Sequence, residues 1–222
     1  VAGPAGDAAR ALLDRIASAP NFRAEIPGAR WRVDRRAAWR VTSTEACYAA
    51  LRAAGVPFRP RPAPPGGFVP SPVELLGPIG GVWFRMRHDA QPFLVSCALA
   101  KRLLGVAELA ASLGIHGIEV LSAYRDTPPT SFHTGGLGLD LSRFWTAGGW
   151  LDVAEDFVAT PEHRTCEDPR PTGRAARLLR ALACRLWRSR RFSSVLTPNY
   201  NAGHRDHLHL DARPADARLY LR

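Results

Sequence analysis

The 222-residue chain has a single lysine, Lys101, and a single methionine, Met86. It has no apolar run near the ~20 residues that a helix needs to cross a bilayer, so no membrane span is expected. It has no Cys-x-x-Cys pair, so its four cysteines, Cys47, Cys97, Cys166 and Cys184, do not build a cysteine-rich zinc module. No nucleic-acid motif and no basic stripe interleaved with aromatics is present, so nucleic acid is not an expected partner. The chain starts at Val1 rather than Met, which leaves a processed N-terminus and an export signal open.

Basic residues number 30 against 20 acidic ones, a net charge of +10, and nearly all are arginine. That charge attracts polyanions, among which the anionic bacterial envelope is the candidate. Four scattered cysteines suit two disulfides in an oxidising compartment, with buried thiols as the alternative and three pairings open. The length suits one main domain, residues 44–222, with residues 1–43 as an N-terminal extension packed on it.

Periodicity places the elements. Residues 7–19 carry a helical stripe that Pro20 ends, and the Trp31 and Trp39 segment after it takes no clear assignment. Thr42 to Glu45 reads as a capping box that opens a helix ending at Gly55. Seven prolines between Pro57 and Pro72 predict an extended strap without central strand or helix. A strand follows at Val82–Met86, then a helix from Pro92 to Gly114 with Val95, Leu99, Leu103, Val106 and Ala110 on one stripe. Glu119–Tyr124 reads as a strand with Arg125 at its end, and Trp145 to Trp150 as a hairpin. Thr172 is the expected cap of a helix carrying Ala175, Leu178, Leu179, Leu182 and Leu186, and residues 212–222 are a tail without assigned role.

Two stretches carry chemistry. In Asn199–Asp211, three of the seven histidines fall together, and His207-Leu208-His209-Leu210 alternates with period two. On a strand that alternation turns both imidazoles to one face and both leucines to the other. A polar turn followed by an amphipathic strand is the plainer alternative, and the second stretch decides against it. Ser131-Phe132-His133-Thr134-Gly135-Gly136-Leu137-Gly138-Leu139-Asp140 supplies His133 and Asp140 as potential ligands, with glycines between them for a tight turn. Those two plus one histidine from the other stretch make a three-ligand set with a fourth position for water, as in catalytic zinc sites. His88, His116 and His163 have no partner motif and read as surface or structural.

Ser131-x-His133-x-x-Gly136-x-x-x-Asp140 with His207-x-His209 downstream resembles the two-part signature of the LAS-type zinc peptidases. That group includes D-Ala-D-Ala peptidases, L-alanyl-D-glutamate peptidases and the hedgehog zinc domain. The run Val195 to His209 is more closely similar to bacterial extensin-like C-terminal domains, as are Ser122-Ala123-Tyr124-Arg125, Pro72-Val73-Glu74-Leu75 and the Cys97 helix. The resemblance spans about Thr44 to Asp211. It implies an α+β fold in which a small antiparallel sheet, flanked by helices, carries a zinc site. His133, Asp140 and His209 are then the zinc ligands, and His207 lies unligated beside the metal. Asp206 stands where related peptidases carry a catalytic Glu or Asp, and matches the Asp of the L-alanyl-D-glutamate type.

The implied function is that of a zinc metallopeptidase hydrolysing an amide bond in peptidoglycan stem peptides or cross-links. Asp206 would be the base. Arg125 or His207 would stabilise the oxyanion, Arg125 otherwise binding a substrate carboxylate or pairing with Asp126. Ser131 and His204 are candidate substrate contacts, His204 alternatively orienting its loop, and Asp211 is either an outer partner of the ligands or a strand end. The pairs Cys47–Cys97 and Cys166–Cys184 are expected. A periplasmic or secreted monomer acting on peptidoglycan is the corresponding setting. The alternative from a different class is a non-catalytic zinc domain that binds cell wall or a protein.

Overall fold

The computed structural model describes residues 43–65, 68–128, 131–160, 165–167, 171–212 and 220–221. The helix at 7–19, the Trp31 and Trp39 segment, the extension 1–43 apart from Ser43, and His163 lie outside the described residues. So does Thr42: the first described helix, α1 (Thr44–Ala53), is capped by Ser43, whose hydroxyl accepts from the Ala46 amide.

The fold is α+β, with two sheets among the described residues. A three-stranded antiparallel sheet has the order β1-β2-β4, from β1 (Phe58–Pro60), β2 (Pro72–Leu75) and β4 (Leu94–Ser96). The larger sheet has seven strands and is mixed rather than small and antiparallel. Its strands are β3 (Trp83–Met86), β5 (Ile115–Ser122), β6 (Gly138–Thr146), β7 (Gly149–Asp152), β8 (Ser194–Leu196), β9 (Leu208–Asp211) and β10 (Tyr220–Leu221). Their order is β10-β8-β9-β6-β5-β3, with β7 also on β6. The pairs β3–β5 and β8–β10 are parallel and the others antiparallel. The helices are α1, α2 (Cys97–Ala111), the short α3 (Val153–Asp156) and α4 (Arg174–Arg188).

Three expectations of local structure need correction, and the unassigned tail takes a place. The proline-rich segment contributes β1 and the start of β2: Pro60 ends an edge strand, and Pro72 opens the next. Both are positions where a missing amide proton is tolerated. The helix expected from Pro92 begins only at Cys97, because Leu94–Ser96 pairs with Pro72–Glu74 and the Ser96 hydroxyl then caps α2 by accepting from Leu99. Gly173, with φ of 87°, is the N-cap of α4 in place of Thr172. The tail supplies β10, parallel to β8.

Helices and sheets share one core, which includes Leu99 and Leu103 of α2, Leu179 and Leu182 of α4, and Ile118, Val120, Leu139, Leu141, Leu208 and Leu210 of the large sheet. Disulfides join Cys47 of α1 to Cys97 of α2, and Cys166 to Cys184 of α4, the expected pairing. No helix among the described residues is long and apolar enough to cross a membrane.

The small sheet buttresses the loop that precedes β6. Ser96 N–H donates to the Gly136 carbonyl at 2.9 Å and Tyr124 N–H to Leu94 at 3.2 Å, while from the large sheet's side Ala212, just past β9, donates to Leu137 at 2.8 Å. Gly136 has φ of 60°, and a Cβ there would lie 2.7 Å from the Ser96 amide nitrogen. Only glycine meets both conditions without displacement.

Candidate metal centre

His133 sits in a single 3-10 turn, Phe132–Gly135, opened by Ser131, whose hydroxyl accepts from the His133 amide at 3.3 Å. The turn delivers the imidazole to a fully buried position. Its Nδ1 donates to the Ala123 carbonyl. A carbonyl only accepts, so the ring proton sits on Nδ1 and the Nε2 lone pair faces inward. Gly138 lets the ring lie against β6: a Cβ there would be 2.8 Å from His133 Cδ2.

Asp140 and His209 are direct cross-strand partners on β6 and β9. Their neighbours Leu139 and Leu210, and Leu141 and Leu208, pair in the same register and fill the core. The period-two alternation read from the sequence therefore holds, and it aims both site residues away from the leucine side. His209 Nδ1 lies 2.7 Å from Asp140 Oδ1, His133 Nε2 lies 3.3 Å from Asp140 Oδ2, and the two imidazole nitrogens are 3.4 Å apart. Asp211 Oδ1 stands 2.8 Å from His209 Nε2. Both imidazoles are thus held by an acceptor on the outer nitrogen and present the inner one to Asp140. This is the arrangement in which a partner outside the ligand set fixes the orientation and basicity of a ligating histidine.

The charges of the pocket are strongly coupled. Burial alone would raise the Asp140 carboxyl, but His133 and His209 hold it well below the usual carboxylate range. Burial pulls His209 down, yet Asp211 and Asp140 outweigh it and push the ring up to about 10. His204 is pulled down to about 4, by burial first and then by His209 and His207.

Asp206 lies in the turn before β9 and so escapes the alternation that would have faced it away from His209. Its Oδ1 accepts from His207 Nδ1 at 2.8 Å, which leaves His207 Nε2 turned inward, 3.4 Å from Asp140 Oδ1. The Asp206 side chain is 41% exposed and the His207 side chain 10%. Asn201 caps the turn Ala202–His204 by accepting from Gly203 N, and its Oδ1 also meets His204 Nδ1 at 2.8 Å. The His204 ring packs against Tyr200, His207 and His209 at 5.0, 5.1 and 5.7 Å. Among the described residues, two overlapping groups have the mutual spacing of metal ligands: His133, Asp140 and His209, and His204, His207 and His209.

Of the residues singled out from the sequence, His133, Asp140, His204, Asp206, His207 and His209 come together. Asp211 joins them as the partner of His209. Ser131 caps the turn that carries His133. Arg125 stands three residues beyond β5, is exposed, and makes no hydrogen bond or ion pair among the described residues. His88 and His116 are exposed. The Ala123 carbonyl and Asn201 were missed. A backbone acceptor leaves no sequence signal, whereas Asn201, one residue before a Gly-containing turn, is a recognisable cap. No curated protein and no solved structure matches the chain. Residues 118–220, which include most of the pocket, match the family model described as extensin-like protein C-terminus.

Proposed function

We propose that the centre holds one zinc ion and that the protein is a zinc peptidase, hydrolysing an amide bond in peptidoglycan stem peptides or cross-links. The observation that carries this reading is the convergence of two inward imidazole nitrogens and one buried carboxylate, each imidazole tied at its outer nitrogen. The donor set fits zinc: two neutral imidazoles with one carboxylate match a catalytic site, and such a site keeps a fourth position open. The resemblance to LAS-type peptidases and the extensin-like match over residues 118–220 support the same group.

His133 Nε2, Asp140 and His209 Nδ1 would hold the ion, with the Ala123 carbonyl and Asp211 orienting the two rings. A bound zinc would act as a Lewis acid on the scissile carbonyl and lower the pKa of a water to about 7. The chain's own acid–base device is the Asp206–His207 pair. Asp206 fixes the proton on His207 Nδ1, so Nε2 is left as an acceptor beside Asp140. The pair, at the solvent edge of the pocket, would take the proton of the attacking water and return it to the leaving amine. Arg125 is not engaged by Asp126, which leaves its guanidinium for a substrate carboxylate or the developing oxyanion. His204, kept neutral by burial, would line the pocket edge as a substrate contact. Two disulfides are compatible with an exported protein, and we place it in the periplasm or outside the cell.

The test is digestion of purified peptidoglycan by the zinc-loaded chain, with fragments identified by mass. Wild type should release fragments with new amine termini. His133→Ala should lose both zinc and cleavage, whereas Asp206→Asn should keep zinc and lose about 10²–10⁴-fold in rate. A zinc-loaded wild type that leaves every peptidoglycan chemotype intact would put the non-catalytic binding module in its place.

A further inference from the structure

A row of tryptophans crosses four strands of the large sheet. Trp83 on β3 is the register partner of Gly117 on β5, Gly117 of Trp145 on β6, and Trp145 of Trp150 on β7. Cross-strand partners stand on the same side of a sheet. All three rings are more than half exposed, at 57%, 52% and 56%. Trp145 and Trp150 are near-parallel, 18° apart, with centroids at 5.8 Å. The gap at Gly117 has a use: a Cβ there would meet Trp145 Cβ and Cε3 at 3.4 Å, so the glycine lets that ring lie close over β5, toward Trp83. Stabilisation of the hairpin explains a Trp145–Trp150 pair. It does not explain Trp83, two strands and about 10 Å from Trp145.

The rows on either side define the surface. The adjacent register row is Phe84, Ile118, Phe144 and Leu151, all buried in the core on the opposite side. The next row back on the tryptophan side is Arg85, Glu119, Arg143 and Asp152, with Arg143 Nε donating to Asp152 Oδ2 at 2.6 Å. A strip of aromatic faces therefore runs beside a strip of guanidinium donors and carboxylate acceptors.

That pairing suits a saccharide. A pyranose ring has a face of polarised C–H bonds, which the negative face of an aromatic ring attracts, and an edge of hydroxyls that need donors and acceptors. With Asp89 paired to Arg85 and Arg87 paired to Glu119, the polar strip holds three positive and three negative side chains, so it is locally neutral in a chain of net charge +10. Local neutrality matches an uncharged polysaccharide face and not an anionic membrane or nucleic acid. The strip also continues into the metal centre. A bulge between Glu119 and Val120 shifts the register, so Leu141 and Leu139 continue the core side and Asp140 emerges on the tryptophan side. Asp140 is about 15 Å from Trp145 along β6.

We propose that Trp83, Trp145 and Trp150 form a ledge that binds the glycan strand of peptidoglycan, next to the pocket that would receive its stem peptide. The choice of glycan rests on the proposed function; the affinity for a neutral saccharide does not.

The test uses the full chain and chitin strands, an uncharged and peptide-free N-acetylglucosamine glycan that offers the metal centre no substrate. Wild type should co-sediment with these strands, and soluble N-acetylglucosamine oligomers should change its tryptophan fluorescence. Trp83→Ala lies outside the β6–β7 hairpin and is expected to keep the fold; it should weaken binding about tenfold. Trp150→Ala should do the same, with recovery in Trp150→Tyr. Cleavage of peptidoglycan without binding of peptide-free glycan would overturn the ledge and leave the peptidase reading standing. Unchanged binding in both alanine variants would also overturn it. So would self-association, or sedimentation with anionic phospholipid vesicles, that Trp83→Ala abolishes.

Discussion

His209 faces Asp140 through one nitrogen and Asp211 through the other, so without a cation the ring is best satisfied doubly protonated. Its folded pKa of about 10 exceeds the ordinary 6.5. A raised pKa stabilises the fold fully below pH 6.5, and that contribution is lost as pH rises toward 10. The melting temperature of metal-free protein should accordingly fall over that interval. Asp140 behaves oppositely: its depressed pKa stabilises above the ordinary carboxylate range, and the contribution is lost as acid protonates it. On the proposed reading a zinc ion would have to displace the His209 proton, so binding at pH 7 should release about one proton. Calorimetry in two buffers of different ionisation heat would show it, and a heat independent of buffer would remove His209 from the ligand set. Asp211→Ala should leave the strand intact while weakening zinc about 10–100-fold, measured by competition with a chelator.

At the scale of elements, β6 is organised by what is missing from Gly138. An alanine Cβ there would press on the His133 ring and amide at 2.8 and 2.9 Å. Gly138→Ala should therefore cost about 1–3 kcal/mol in denaturant unfolding and lower metal affinity together. The segments that carry the candidate ligands were legible in the sequence because local rules dictate their shape. The His207-Leu208-His209-Leu210 alternation needs only the pleat of a strand, and the Gly-rich run after His133 needs only a turn. Leu94–Ser96 reads as helix in the sequence because Val95 fits the stripe of Leu99 and Leu103 as well as it fits a strand. Only its distant partner Val73 decides. The parallel pairs β3–β5 and β8–β10 were likewise invisible, since they join segments far apart in the chain. The tryptophan row needed a register across four strands, which the Trp145 to Trp150 hairpin supplies only in part.

For the whole molecule, the disulfides set the stability on which the centre depends. Cys47–Cys97 closes a separation of 50 residues, and Cys166–Cys184 one of 18. On the chain-entropy account, replacing each pair by alanine should cost about 4 and about 3 kcal/mol respectively. Guanidinium unfolding of the two double variants checks the order, and a larger loss from the shorter loop would contradict it. The first pair also anchors the start of α2, whose cap residue Ser96 holds the Gly136 carbonyl.

Asp140 on β6 and His209 on β9 each stand between two leucines, in one shared register. A slip of one residue would bring a leucine against Asp140 and turn His209 into the core. His133 and His209 are 76 residues apart, so the unfolded chain does not hold them as a chelating pair. A captured cation would therefore stabilise one strand pairing and no other, by an amount that grows with the logarithm of its concentration over its dissociation constant. The ion would act as a proofreader of folding, and metal occupancy would report that the two halves of the chain have met in the right register.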